Sequence, residues 1–271
     1  MAELLLEARL TSRRHVVTEG PTDARFMRVW SRNVENGDKV VITPATNLKI
    51  SGRTLEAEGL NDGNRARAIY VAKEAASNGV DLVCIADRDG GHNVADHQYS
   101  TLFWTDYPAM ESYALVADVL DLANQLSFGE RLPPGAKLID DLKHPLREIF
   151  AVRAQNEHLP DPKFDAAFKG RNNTLTTFDV TLVVDSRVGA ASKHYPRHAS
   201  SDVRDFAYGH DIADLLLCAF GNAIKNQSGL RTREAVEGAL RSALQLEGSF
   251  KEEGLFRRLA AWISAGASRV K

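Results

Sequence analysis

Asp81-Leu82-Val83-Cys84-Ile85-Ala86-Asp87-Arg88-Asp89-Gly90-Gly91 carries an apolar run straight into two carboxylates and then two glycines. A short apolar run bounded by turn residues reads as a buried strand of a parallel sheet, here Leu82 to Ala86. In open α/β sheets, ligands bind beyond the carboxyl ends of the strands. Asp87 and Asp89 stand at such an end. One residue separates them, so both reach a single cation if the backbone turns there, and Gly90 and Gly91 permit the turn. Two nearby carboxylates repel unless a cation or a proton neutralises them. Hard oxygen donors suit Mg²⁺, with Mn²⁺ as an alternative, and substrate phosphate oxygens commonly complete the shell.

Working outward, the preceding segments repeat a strand-then-helix pattern. His15-Val-Val-Thr18 reads as a strand ending in Glu19-Gly20, and Pro21-Thr22-Asp23 opens a helix, because proline is preset for a first helical position. Phe26, Val29 and Trp30 give that helix an apolar stripe. Glu19 thus occupies a strand-to-helix turn, able to join a cation site or act as a base. Asp38 to Thr43 is a second strand, stopped by Pro44, and residues 44–62 read as loop. Asn64 to Ser77 is a helix closed by Asn78-Gly79. Thr101 to Thr105 is a fourth strand ending at Asp106, and Pro108 starts a helix carrying Glu111. This order predicts an α/β fold: a parallel, Rossmann-like sheet flanked by helices over residues 1–115.

Residues 116–271 read as a mainly helical insertion and C-terminal region packed on that core. The helical pattern breaks at Leu132-Pro-Pro-Gly135, kinks at Pro145, and repeats Leu138, Leu142, Leu146, Ile149 and Phe150 at helical spacing. Phe178 to Val184 reads as a late strand. Residues 186–209 are basic and irregular. Three helices close the chain, the last opened by a Ser249-x-x-Glu252 capping box. Their apolar faces are suited to a homodimer interface.

The chain has 271 residues, 44% hydrophobic and 26% charged, with a formal net charge of -2. That balance excludes a broadly basic nucleic-acid coat but not a local basic groove. Its two cysteines, Cys84 and Cys218, are far apart in apolar segments and read as reduced core residues. The N-terminal run is too charged and short for a signal peptide, and no run approaches the roughly 18 apolar residues of a membrane span. The expected location is the cytoplasm.

The Asp-x-Asp pair alone leaves the chemistry open among sugar-nucleotide transferases, aspartate-nucleophile phosphatases and metal-dependent nucleases. Taken together, Val16-Val-Thr-Glu19-Gly20-Pro-Thr-Asp23 and Ile85-Ala-Asp87-Arg-Asp89 resemble the Toprim domain of topoisomerases, bacterial primases and OLD-type nucleases. Phe103-Trp-Thr-Asp106-Tyr-Pro-Ala-Met-Glu111-Ser-Tyr113 is similar to a segment of one Toprim-like family, and Gly209-His210-Asp211-Ile-Ala-Asp-Leu-Leu216 to another segment near that family's C-terminus. Members include the effector nuclease of the PARIS anti-phage system, encoded beside an ABC-type ATPase.

The resemblance covers residues 15–115 well and the rest loosely. It implies that Glu19, Asp87 and Asp89 are catalytic metal ligands, with Glu111 a further candidate ligand. It implies hydrolysis of DNA or RNA, transfer RNA included, and control by a partner ATPase. Lys193, Arg197, Arg204 and His210 are candidate phosphate contacts; a solvated basic loop and a helix-capping histidine are the plainer readings. No tyrosine stands out as a strand-passage nucleophile and no cysteine zinc ribbon is present, which favours hydrolysis.

Two alternatives stand beside the nuclease. Asp87-Arg-Asp89-Gly90 is similar to the Asp-x-Asp-Gly of haloacid-dehalogenase-type phosphatases, but it lies late in the chain and continues with Gly91. A Toprim-shaped binding or regulatory module without turnover is the other.

Overall fold

A computed structural model of the chain describes residues 1–11, 13–91, 94–156, 162–167, 175–184, 200–227 and 229–265. The fold is α/β, with one four-stranded, all-parallel sheet. Its strands are β1 (Arg14–Thr18), β2 (Val40–Pro44), β3 (Leu82–Ala86) and β4 (Leu102–Trp104), in the order β2-β1-β3-β4. β1 and β3 are the inner strands, and both are buried along their whole length. That is why β3 reads as an unbroken apolar run and not as an alternating one, whereas β1 buries Arg14, His15 and Thr18 around its apolar pair Val16-Val17.

Two compact units divide the chain. The first comprises Met1–Arg88, Asn93–Asp106 and Ser249–Lys271; the second comprises Asp89–His92 and Tyr107–Gly248. The first unit therefore ends its long N-terminal section well before residue 115 and regains the last segment of the chain.

In the first unit, side chains alternate across the pleat. Val17, Leu82, Cys84, Ala86 and Leu102 share a cluster with Leu4 of α1 (Ala2–Leu10) and with Ala68, Ile69, Val71, Ala72 and Ala75 of the helix Asn64–Ser77. The alanines let that helix approach the sheet closely. It ends as expected: Asn78 Nδ2 donates to the Glu74 carbonyl at 2.8 Å and Gly79 takes φ +61°. α2 (Pro21–Ser31) packs on β1 and β2. Its buried stripe differs from the expected one: Ala24, Met27 and Ser31 are buried with Phe26 and Trp30, while Val29 is exposed. These three rotate the buried face away from Val29.

The final helix, Gly254–Ala265, belongs to this unit. Phe250 and Phe256 meet Phe26 at ring-centroid distances of 5.0 and 6.1 Å, and Trp30 meets Phe256 at 5.4 Å. Arg14, ion-paired with Asp81, lies 4.5 Å from the Trp262 ring, and Trp262 Nε1 donates to Asp81 at 2.9 Å.

Three local expectations are corrected. Residues 44–62 hold α3 (Gly52–Ala57), capped where Ser51 Oγ accepts from the Thr54 N–H at 3.2 Å. With α3 counted, the Asn64–Ser77 helix is α4. Within 178–184, Val180–Val183 is a short helix, α7, not a strand; Asp179 caps it by accepting from the Thr181 N–H at 3.1 Å. The β-branched residues there carry strand propensity, and the cap overrides it. Ser249–Glu252 is a 3-10 turn, and the final helix begins only at Gly254.

The second unit is helical. It contains a 3-10 helix Met110–Ala114, α5 (Ala117–Leu126), α6 (Gly135–Arg153), α8 (Gly209–Gln227) and α9 (Arg233–Glu247), so the final helix is α10. α6 runs through Pro145 and buries Leu138, Leu142, Leu146 and Ile149, as its spacing predicts. A Cβ on Gly135 would lie 2.2 Å from the Ala117 carbonyl oxygen, so only glycine allows α6 to start this close to α5. No helix among the described residues is long and apolar enough to cross a membrane.

Candidate functional site

The register Val17↔Cys84 brings the turn after β1 level with the end of β3. There the Asp87 backbone N–H donates to Glu19 Oε1 at 2.7 Å. Both residues are half-buried, so the pair is set into the carboxyl end of the sheet but remains in reach of solvent. Local chemistry holds the first turn: Thr18 Oγ1 donates to the Gly20 carbonyl at 3.1 Å, and the Gly20 N–H donates to Asp23 Oδ2 at 3.1 Å. Asp23 is therefore a helix cap.

After Asp87 the backbone turns as the glycines suggest. Asp89 takes φ +45° and Gly91 φ +81°, both left-handed. For a non-glycine residue that conformation is uncommon, and aspartate is among those that tolerate it. Asp89 opens the second unit, and its N–H donates to the Pro108 carbonyl at 2.9 Å.

Glu111 is buried, and Arg241 grips its carboxylate through Nε at 2.7 Å and Nη2 at 2.5 Å. The helix-surface position open to it in sequence is thereby replaced by a buried ion pair. Gly209 makes room for the pair: a Cβ there would stand 2.4 Å from Glu111 Oε2 and 3.1 Å from the Ala109 Cβ. Gly209→Ala is expected to push the carboxylate off Arg241 and cost about 1–3 kcal/mol, as overpacking does, read as a lower denaturant midpoint.

The charged and titratable residues just after Gly209, His210, Asp211 and Asp214, each meet an oppositely chargeable side chain. His210 Nδ1 lies 2.7 Å from Glu237 Oε1; Arg153 binds Asp211 through two bonds of 2.7 and 2.6 Å; Arg233 binds Asp214 at 3.1 and 2.7 Å. Arg204 is bound by Asp202 at 2.7 Å and lies 4.6 Å from the Tyr107 ring. Lys193 and Arg197 lie outside the described residues.

Two histidines make opposite predictions for stability against pH. Glu237 raises the pKa of His210 by accepting its hydrogen bond, against the effect of burial. Its stabilising contribution is present below the unfolded value near 6.5 and is lost as pH rises through the folded value. Burial lowers the pKa of His15, with Glu7 opposing and Arg13 assisting. Its contribution is present above about 6.5 and is lost as pH falls toward the folded value. Thermal unfolding of His210→Gln and His15→Gln against wild type should therefore differ on opposite sides of neutrality.

Among the described residues, no group of three or more His, Cys, Asp and Glu side chains is placed to hold a metal ion together. The two-carboxylate set of Glu19 and Asp87 still fits Mg²⁺ in kind, since that ion takes one or two protein carboxylates and leaves its other positions to water and phosphate. Glu111 fits less well, because its charge is already matched by Arg241. Neither cysteine is in a disulfide among the described residues, and burial raises both thiols, with Asp165 adding to the rise at Cys218. Neither is an activated nucleophile.

Beside the carboxylates lies a feature that the sequence did not announce. Arg88, Tyr99, Phe103, Trp104, Asp106 and Arg258 line much of a cleft of about 500 Å³. Asp106 Oδ2 accepts from the Leu255 N–H at 2.8 Å and so caps α10, and Arg88 Nη1 donates to the Asp106 carbonyl at 2.8 Å. The Thr-Asp pair after β4 was visible, but its partner lies far along the chain.

The architecture is thus an α/β sheet with two acidic residues, Glu19 and Asp87, at the carboxyl ends of its inner strands, joined through the Asp87 amide. No protein-family model matches the chain, and no curated protein matches it in sequence.

Proposed function

We propose that this chain is a Mg²⁺-dependent Toprim nuclease that hydrolyses phosphodiester bonds in nucleic acid. The observation that carries this reading is the Asp87 N–H···Oε1 Glu19 contact of 2.7 Å, which ties two acidic residues together at the ends of adjacent parallel strands. Glu19 and Asp87 would hold the cation. When bound, Mg²⁺ (or Mn²⁺) polarises a phosphate and lowers the pKa of a water molecule. The residues themselves supply negative charge at the solvent-accessible carboxyl end of the sheet, and Glu19 fixes the start of the Asp87–Gly91 turn through the Asp87 amide.

The biological setting we propose is that of an effector in bacterial anti-phage defence, controlled by an ABC-type ATPase partner. It rests on the resemblance in residues 103–113 and 209–216. Some residues of those two segments meet physically, since Gly209 accommodates the carboxylate of Glu111.

The test is to incubate the purified chain with plasmid DNA, total cellular RNA and a chromogenic phosphomonoester, each with Mg²⁺, Mn²⁺ or EDTA. Cleavage of DNA or RNA only with metal is expected. Turnover of the phosphomonoester alone would replace the nuclease with a phosphatase.

A further inference from the structure

The cleft beside the carboxylates combines the two chemistries that recognise a nucleotide. Tyr99, Phe103 and Trp104 contribute half-buried aromatic rings, and Arg88 and Arg258 contribute exposed guanidinium groups. We propose that this cleft takes one unpaired nucleotide of the nucleic-acid substrate, its base against the aromatic rings and its phosphate on Arg88 and Arg258. This rests on the nuclease reading for its substrate and deepens it: the strand bound is single-stranded or locally opened.

The size fits, because pockets for small organic ligands run to several hundred cubic ångströms. Charge fits as well. Arg88 donates to the Asp106 carbonyl at 2.8 Å, and Arg258 donates to the Trp104 carbonyl at 3.3 Å and lies 3.7 Å from Asp106 Oδ1. A guanidinium carries five N–H donors, and these contacts use one or two of them. The one acid among the described lining residues, Asp106, is matched by the Leu255 N–H and by Arg258. The polar edge of Trp104 is occupied, since its Nε1 donates to the His97 carbonyl at 3.3 Å.

Geometry connects the cleft to the chemistry. The register Ala86↔Trp104 sets Thr105 level with Asp87, and Thr105 Oγ1 accepts from the Arg88 N–H at 3.1 Å. The cleft therefore opens one strand away from the carboxylates, at a strand spacing of about 5 Å. A strand anchored there by a base and its phosphate runs past the carboxyl ends of β3 and β1. In a duplex the bases stay stacked on their neighbours, so a ring-lined cleft selects an unpaired one.

The experiment measures fluorescence anisotropy of the full chain in EDTA, so that binding is read without metal or cleavage. The probes are an end-labelled oligothymidylate and the same strand annealed to its complement. The single strand is expected to bind about tenfold more tightly, and Phe103→Ala is expected to weaken it about tenfold. Ser100→Glu is the second variant: Ser100 is exposed on the cleft lining, so the change leaves the fold intact and sets a negative charge against the phosphate. It too should weaken binding about tenfold.

Equal binding of both probes, or wild-type affinity in both variants, would overturn the inference. Metal-dependent cleavage with unchanged binding by the variants would remove the cleft proposal and leave the nuclease. Cleft-dependent binding without any cleavage would do the reverse.

Discussion

Glu19→Gln should lower metal-dependent cleavage on the order of a thousandfold while leaving the fold in place. The expectation rests on separating two duties of one side chain. Glu19 Oε1 accepts the Asp87 N–H at 2.7 Å, which is a structural tie between the ends of β1 and β3. In the proposed site its charge also holds the cation. Glutamine keeps an acceptor oxygen and loses the charge, so the tie survives and the ligand does not. A metal ion contributes several kcal/mol of transition-state stabilisation, and each 1.36 kcal/mol is tenfold in rate. Glu19→Ala removes both duties and leaves the Asp87 amide without this acceptor, so it should also cost about 1–3 kcal/mol of stability. Comparing cleavage rate and denaturant midpoint for the two variants distinguishes a ligand from a strut.

The second large effect belongs to the helical unit. Asp211→Ala is expected to destabilise that unit by about 3–5 kcal/mol, the usual consequence of removing one partner from a buried ion pair. Asp211 is fully buried and receives two short bonds from Arg153, whose guanidinium also lies 4.4 Å from the Tyr208 ring. Without the carboxylate, a largely buried cation loses its counter-charge. Against a typical total of 5–15 kcal/mol, the loss is a large share. Urea unfolding followed by circular dichroism measures it. Arg153→Met in the Asp211→Ala background should restore part of the loss, because it removes the stranded charge; no restoration would argue against the ion-pair account.

These residues also show where sequence reading succeeds. β3 is legible because it is buried on both faces and reads as a continuous apolar run, and β1 because its Val16-Val17 pair stops at Glu19-Gly20 before a helix-opening proline. Their acidic ends are legible because Pro21 and Gly90-Gly91 punctuate them locally. The Asn64–Ser77 helix is legible because its closing Asn-Gly is local. The α10 cap is different: Asp106 serves a backbone N–H at Leu255, and no nearby residue signals it. Glu111 reads as a possible ligand or a surface charge until Arg241 and Gly209 are seen beside it. The helix at Val180–Val183 is hidden by β-branched residues that its Asp179 cap outweighs. The cleft draws Arg258 from the end of the chain to rings near residue 100, a juxtaposition with no linear signature.

The central claim is that Glu19 and Asp87 form a cation-dependent cutting centre. Its most direct test incubates wild type and Asp87→Asn side by side with plasmid DNA and total cellular RNA, with Mg²⁺ or with EDTA. Cutting by wild type alone, and only with Mg²⁺, is the predicted result. Equal cutting by Asp87→Asn, or cutting that persists in EDTA, would contradict it.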